Sequence, residues 1–479
     1  MIADTKTFGQ TNFAHAQLGD KRRTNRLVKT ADLMSRRPGG SLPHKLNEPK
    51  NLKAFYRLMD CPDVTHQGIL EAHRIATLEK VQACQSPVLV LHDATEMDYS
   101  QHFSLAGDLG QIGNGNHRGY IVQNSLAVDS KTRRVLGLTN QVLHHRANVP
   151  QGEKLAQKRV RKSRESLLWL KGTQHLPADR QIVDVCDQGS DTFEFLEHEV
   201  HSGRRFVLRT SFDRGVLIGH DDDGSGESSN LRTYARTLPV AGTWTLQVTS
   251  RESTKSPRKK GKKKKVKRIA RQANMAVSFA AVAIKAPGKK NGVHGNEPMK
   301  VWVVRVWEVD PPAGQERLEW FLVTNEVVDS FAAAYRVVGW YECRWIIEEY
   351  HKGLKTGCQI ESPQFTSEQR LQPAIALISV VALTLLSLRD ASRQADAKTR
   401  AAREIISEDY ISVLCAWRHG KLHEDWTIHD FYYALARLGG HQNRKGDHHP
   451  GWITLWRGWT DLQAMVTGVE AMKRLNKCG

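Results

Sequence analysis

Cysteine is sparse and unpatterned in this chain. The seven cysteines (Cys61, Cys84, Cys186, Cys343, Cys358, Cys415 and Cys478) include no Cys-x-x-Cys pair. That argues against a zinc module or a disulfide framework and predicts free thiols in a reducing compartment. Long apolar runs are also missing. The longest, Ala374–Leu388, is broken by Ser379, Thr384 and Ser387; it falls short of the roughly 20 residues that a span needs and reads as a buried helix. The opening MIADTKTFGQ has no apolar signal core, so a cytoplasmic protein is expected. Acid is scarce relative to base: 51 Asp and Glu stand against 70 Lys and Arg, a net charge of +19. Such a chain is expected to meet a polyanion, either nucleic acid or an anionic membrane surface.

What is present fits a soluble globular protein. Hydrophobic residues make up 40% and charged residues 25% of 479, enough for two to four structural units with real cores. The positive charge is concentrated. Between Arg251 and Arg271 stand twelve Lys and Arg against the single acid Glu252, leaving only +8 for the rest of the chain. This segment, with Lys259, Lys260, Lys262 and Lys263 at its centre, reads as a flexible loop that touches phosphates without reading sequence. The histidine pairs at 144–145 and 448–449 lack nearby cysteines and read as surface or loop residues.

Texture divides the chain. Residues 1–85 look helical, with Asp20 as N-cap of KRRTNRLVKTADLMSRR. Arg22 and Arg26 share one face of that helix, with Arg23 and Lys29 beside them, and Leu27, Val28 and Leu33 can line the other. Alone, this pattern describes a solvated amphipathic helix. From residue 87 strands appear: PVLVLHD (87–93), GYIVQNSLAVD (119–129) and RVLGLTN (134–140). Between the first two lies GQIGNGN (110–116), a hairpin loop; without a following Gly-Lys-Ser/Thr it is no phosphate loop. A helix over about 152–172, a strand QIVDVCD (181–187), a helix DTFEFLEHEV (191–200) and a strand RRFVLRT (204–210) then indicate a mixed α/β sheet. Residues 211–325 read as a β-rich insertion, with 220–230 and the lysine run as loops. A long helix is expected from about Ser330 to Lys355, and helices again over 401–479.

That long helix carries chemistry. At about 100° per residue, Tyr341, Arg344, Glu348 and Lys355 fall within one sector, and Cys343, Ile346, Ile347, Tyr350 and Leu354 face the opposite way. Lys352 lies close enough to the row to compete with Lys355. By itself the row describes a salt-bridged exposed face. Asp93 and Asp187, each closing an apolar strand, add to it: two such acids and a glutamate on a later helix are what two-metal phosphoryl transfer requires. Glu96, Asp98, Asp184 and Asp191 compete for these roles on spacing alone.

The run Tyr341-x2-Arg344-x3-Glu348-x6-Lys355 resembles the Tyr-Arg-Glu-Lys signature of bacterial cut-and-paste DDE transposases of the insertion-sequence-four family. LGDKRRTNRLV (18–28), VCDQGSD (185–191), RLEWFLVTN (317–325), RWIIEEYHKGLKTG (344–357) and ALARLGG (434–440) resemble corresponding segments in the same order, so the likeness covers nearly the whole chain. It implies an α/β protein with an RNase H-like catalytic core over 86–390 and a β-rich insertion at about 211–325. A helical transposon-end DNA-binding domain would occupy 1–85 and a helical dimerisation region 391–479. It implies Asp93, Asp187 and Glu348 as ligands of two Mg²⁺ ions, for which Mn²⁺ could substitute. Tyr341, Arg344 and Lys355 would contact phosphates, Trp320 would stack on a flipped base, and Trp345 would either join it or pack in the core. Arg22, Arg23 and Arg26 would read the terminal inverted repeat. The partners implied are double-stranded DNA, both transposon ends and target, and a second protomer at synapsis, with no membrane. The chemistry implied is a nick, attack by the freed 3′-hydroxyl through a hairpin on the transposon end, and joining to target DNA. One departure stands out: after the second Asp the family often has arginine, where this chain has Gln188-Gly189. His92, beside the first Asp, either hydrogen-bonds near the metals or packs. A catalytically silent DNA-binding regulator, or domesticated derivative, and an RNase H-like structure-specific nuclease are the alternatives.

Overall fold

A computed structural model describes residues 6–475 apart from 106, 114, 147–151, 175, 178, 180, 220–225, 256–263, 289–292, 424 and 445–448. The chain forms two compact units, Met1–Val149 with Trp345–Gly479 and Pro150–Arg344.

The first unit opens with helices α1 (Phe8–Phe13), α2 (Lys21–Arg36), α3 (Leu42–Leu46), α4 (Pro49–Met59) and α5 (His66–Gln82). α2 starts where expected, because the Asp20 carboxylate accepts the Arg22 N–H at 2.7 Å and satisfies an otherwise orphaned donor. Its buried stripe is Thr24, Leu27, Ala31 and Met34, at the helical spacing of three and four; Val28 and Leu33 are only half-buried. Strands β1 (Val88–Asp98), β2 (Gly110–Gln111), β3 (Arg118–Asp129) and β4 (Val135–His144) follow. β3 lies between β1 and β4, all antiparallel, and β2 pairs with the start of β3. GQIGNGN is the expected hairpin, turned by Gly113 and Gly115 at φ +52° and +94°, a region that side chains disfavour. β1 runs five residues beyond its expected end, because Ala94–Asp98 continues the ladder with β3. His144 is a buried residue of β4, not a loop histidine. His145 Nε2 meets Glu368 Oε1 at 2.6 Å.

The second unit contains α6 (Leu155–Val160), α7 (Leu168–Thr173), β5 (Ile182–Cys186), α8 (Phe193–His201), β6 (Arg205–Arg209), β7 (Gly215–Ile218), β8 (Glu227–Asn230) and α9 (Leu231–Thr237). Then come β9 (Gly242–Val248), β10 (Arg251–Lys255), β11 (Lys264–Arg268), β12 (Arg271–Ile284), β13 (Met299–Glu308), β14 (Glu319–Thr324) and α10 (Phe331–Glu342). β5 and β6 are parallel, and β6, β14, β13 and β12 continue the sheet antiparallel. β9 and β7 share the far edge of β12, and β8 pairs with β7. Phe195, Phe206, Leu208, Val282, Val303 and Val323 fill one side. Three expectations need correction. The helix over 152–172 is two short helices. Residues 227–230 are strand rather than loop, and α9 follows them. The basic segment is not all loop: Arg251–Lys255 pairs antiparallel with Lys264–Arg268, so its described ends form a ribbon.

The chain then returns to the first unit with α11 (Trp345–Lys352), a π-helical turn (Gly353–Gly357), α12 (Glu368–Val381), α13 (Leu383–Arg393), α14 (Glu408–His419), α15 (Ile428–Leu438) and α16 (Trp452–Leu475). The single helix expected over 330–355 is therefore interrupted after Glu342 and unwound after Lys352. Glu368–Arg393 is a 26-residue helical stretch of hydropathy 2.1, long and apolar enough by composition to cross a membrane, and its most apolar part is 72% buried inside the protein. It is longer than the apolar core read from sequence because Pro373 sits within α12 without ending it. α15 and α16 approach closely at two glycines: a Cβ on Gly439 would lie 1.7 Å from the Thr454 carbonyl oxygen, and one on Gly458 1.9 Å from that of Leu435.

Candidate active site and nucleic-acid interface

In the first unit, Asp93 lies in mid-strand rather than at a strand end. Its Oδ1 accepts the Ala94 N–H at 3.0 Å, and its Oδ2 lies 4.0 Å from Nδ1 of His351. Glu348 is half-buried on α11, the helix that packs on β1. His351 follows it by three residues and so shares its side of the helix. His92, next along β1, points to the other face and hydrogen-bonds Ser125 Oγ at 2.9 Å; it packs as a satisfied buried histidine. The competing acids of β1 have structural work: Glu96 Oε1 accepts the Gly113 N–H at 2.7 Å, and Asp98 binds Ser100 at its N–H and His117 at 2.8 Å.

Cys343, Ile346, Ile347, Tyr350 and Leu354 are all buried, as the helix pattern predicts. The helix expected to carry the charged row ends at Glu342 and resumes at Trp345, and Lys355 falls in the π-helical turn Gly353–Gly357, outside the α-helical periodicity that relates it to Glu348. Lys355 pairs with Glu361 at 3.5 Å, and that carboxylate also accepts the Asp98 N–H at 2.9 Å. Lys352 is exposed, its ammonium 5.6 Å from the centre of the Trp345 ring. Trp345 is 43% exposed, so it does not pack in the core.

In the second unit, Asp187 does close its strand. It caps a short 3₁₀ turn, with Oδ1 accepting the Gly189 N–H at 2.9 Å. Gly189 has a packing reason, since a Cβ there would lie 2.3 Å from the Trp169 ring. Gln188 donates to the Thr210 carbonyl at 3.1 Å, an amide where the resemblance expects an arginine. Asp184 and Asp191 are buried in ion pairs, with Arg204 at 2.7 Å and Arg214 at 2.8 Å, which removes them as competitors. Tyr341 is held above the usual phenol range, chiefly by burial; Arg344 and Arg209 pull it down and Asp187 pushes it up. Asp187, Arg209, Tyr341 and Arg344 thus share one electrostatic neighbourhood. Arg209 escaped the sequence reading. Its signal was its place one residue beyond Leu208, which pairs with Cys186 in the parallel ladder, so that Arg209 closes β6 as Asp187 follows β5. Trp320 is half-buried on β14, opposite Val306.

At the N-terminus the three arginines differ. Arg22 is 91% exposed and pairs with Asp20 at 3.1 Å. Arg23 is tied into the fold, donating to the Leu18 carbonyl at 2.8 Å and to Asp63. Arg26 is half-buried. Residues 5–64 match a family model described as transposase DNA-binding. The match spans α1 to α4 and contains Arg22, Arg23 and Arg26. It supports a transposase and DNA as its partner. The chain is also similar to a piggyBac transposase, seen by cryo-EM in a synaptic complex with hairpin DNA, at 10% identity. That likeness covers 96% of this chain and 74% of the other with a TM-score of 0.30, which does not establish a shared fold.

Within the transposase reading, Lys259, Lys260, Lys262 and Lys263 lie outside the described residues. The donors proposed for metal, Asp93, Asp187 and Glu348, are all carboxylates, whose hard oxygens suit Mg²⁺ or Mn²⁺. Among the described residues, no three or more His, Cys, Asp or Glu side chains form a group that could hold a metal ion. The donor chemistry fits; a ready-made cluster is not among these residues.

Proposed function

We propose that the protein is a DNA transposase that binds the terminal inverted repeats of a mobile element, nicks and excises them, and joins them to target duplex. The observation that carries this reading is the match of residues 5–64 to transposase DNA-binding, with Arg22 projecting from the matched region. The finer assignment, to the insertion-sequence-four family and a likeness to transposon-five transposase, rests on the Tyr341, Arg344, Glu348 and Lys355 signature.

In this reading the core is RNase H-like, and Asp93, Asp187 and Glu348 would hold two Mg²⁺ ions. When bound, such a pair supplies Lewis-acid charge to the attacking and leaving oxygens of phosphoryl transfer. The chain's own groups bind and orient the DNA. Tyr341, Arg344 and Lys355 offer a hydroxyl and two cations to phosphates at the scissile end, and Arg209 adds a third cation beside Tyr341. Trp320 stacks on an extruded base, and the partly exposed Trp345 offers a second aromatic ring. Arg22 and Arg26 read the end, while the basic segment with Lys259, Lys260, Lys262 and Lys263 adds sequence-independent contacts. Two protomers, each on one end, synapse through the C-terminal helices, and the reaction takes place in the cytoplasm on nucleoid DNA.

The test is purified protein with duplex carrying the element's ends and Mg²⁺. Wild type is expected to release excised product, whereas Glu348→Ala binds ends without cutting. Wild type as inert as Glu348→Ala, while still binding ends, would instead indicate a regulator. Equal cutting of unrelated duplex would indicate a structure-specific nuclease.

A further inference from the structure

Asp93 does not stand alone on its sheet face. In the β1–β3 ladder it is directly opposite Asn124, and Asn124 is directly opposite Gln141 on β4. Side chains opposite one another in a ladder lie on the same face, so Asp93, Asn124 and Gln141 form one row across three strands. Three helices cover that row with polar groups. His351 of α11 meets both Asp93 and Asn124, Ser379 of α12 meets Gln141, and His66 at the start of α5 meets the other end of Gln141.

The hydrogen bonds run one way. His66 Nε2 donates to Gln141 Oε1 at 2.9 Å. Gln141 Nε2 donates to Asn124 Oδ1 at 2.8 Å and to Ser379 Oγ at 2.9 Å. Asn124, with its oxygen so occupied, presents Nδ2 to His351 Nε2 at 3.0 Å. An amide nitrogen can only donate, so His351 Nε2 must accept, and the neutral ring carries its proton on Nδ1. That nitrogen faces Asp93 Oδ2 at 4.0 Å. The gap is longer than a hydrogen bond, and short enough for a side-chain rotation to close it or one water to bridge it. Asn124 and Gln141 are buried, where reversing one amide would set donor against donor.

We propose that Asn124 and His351 are positioning residues for Asp93. The amide row fixes the His351 tautomer, and His351 Nδ1–H then holds the Asp93 carboxylate in one orientation toward the reacting phosphate. This rests on the transposase reading for the role of Asp93, but the tautomer itself does not. Partners of this kind, one step behind a ligand, typically change affinity or activity by about 10–100-fold.

The decisive substitution is Asn124→Asp, which keeps the shape and replaces the donor by an acceptor. Histidine-selective ¹⁵N NMR of the full chain without DNA, with the His351 signals assigned by their loss in His351→Gln, reads the tautomer directly. The wild type is expected to carry the proton on Nδ1, and Asn124→Asp to move a proton onto Nε2. With ends and Mg²⁺, Asn124→Asp is expected to cut at least about ten-fold more slowly with unchanged end binding. His351→Gln, which retains a donor and an acceptor, is expected to cut within a few-fold of wild type, and His351→Phe to lose cutting. A wild-type proton on Nε2, or undiminished cutting by Asn124→Asp or His351→Phe, overturns the proposal. Should Asn124→Asp fail to fold, the Gln and Phe pair at 351 decides alone. A wild type that cuts nothing defeats the functional reading instead, and leaves the NMR result standing.

Discussion

Glu349 and Arg389 form a buried ion pair that ties α11 to α13. Arg389 also holds Asp390 at 2.9 Å, and Asp390 in turn accepts the Val135 N–H of β4 at 3.0 Å. Burial pushes the Asp390 carboxyl up to about 6, against the pull of Val135 and Arg389. The helix that carries Glu348 is therefore anchored by the residue next to it. Removing one partner of such a pair leaves buried charge uncompensated and costs about 3–5 kcal/mol. Arg389→Met should lower the urea unfolding free energy by that amount. Adding Glu349→Leu to it should restore part of the loss. Strictly additive losses would show that the two side chains are not coupled.

A second prediction concerns acid. His73 is buried between α1 and β4, where Nδ1 donates to Asn12 Oδ1 at 2.8 Å and Nε2 accepts the Leu138 N–H at 3.0 Å. Burial holds its pKa down at about 3, against an ordinary 6.5. The unfolded chain therefore takes up a proton between these values that the folded chain refuses. The resulting stability is fully present above about pH 6.5 and is lost as pH falls toward 3, at about 1.4 kcal/mol per pH unit. Between pH 7.5 and 5 the wild type should lose about 2 kcal/mol more than His73→Gln in urea titrations. Equal losses would mean that another group dominates.

What could be read from the sequence was set by how local each signal is. Asp187 is legible because IVDVC, apolar apart from Asp184, reads as a buried strand and the turn follows at once. Asp93 was misjudged as terminal because Ala94–Asp98, mixed in polarity, still pairs along β3. The buried side of α11 was visible in its periodicity, whereas the break near Arg344 and the π turn leave no periodic trace. Arg209, and the row Asp93–Asn124–Gln141 with His351, depend on strand register. Residues far apart in sequence meet there only after the sheet has formed, so no window on the chain contains them.

The arginines of α2 should separate by role. Among the described residues Arg22 pairs with its neighbour Asp20 and is 91% exposed, so Arg22→Ala should leave thermal stability unchanged and weaken end binding. Arg23 ties α2 to Leu18 and Asp63, so Arg23→Ala should lower the melting temperature as well as weaken binding. Thermal melts beside gel-shift titrations on end-containing duplex check this. A stability loss in Arg22→Ala comparable to that in Arg23→Ala would contradict the division.

The last prediction concerns where the net charge of +19 acts. Arg251–Lys255 and Lys264–Arg268 form a two-stranded ribbon, and Lys259, Lys260, Lys262 and Lys263 lie in the segment that joins them. A ribbon so charged is self-repelling unless a polyanion lies against it, and neutralising phosphates releases counterions in proportion to their number. Replacing these four lysines by glutamine should weaken binding to end-containing and unrelated duplex alike. The slope of log affinity against log salt should become shallower by up to about 0.9 for each phosphate no longer neutralised. The preference for ends should persist, because the proposed function assigns end reading to the arginines of α2. Equilibrium binding at several salt concentrations measures both. An unchanged slope would mean that the lysines never touch DNA, and a lost end preference would move sequence reading from α2 to the ribbon.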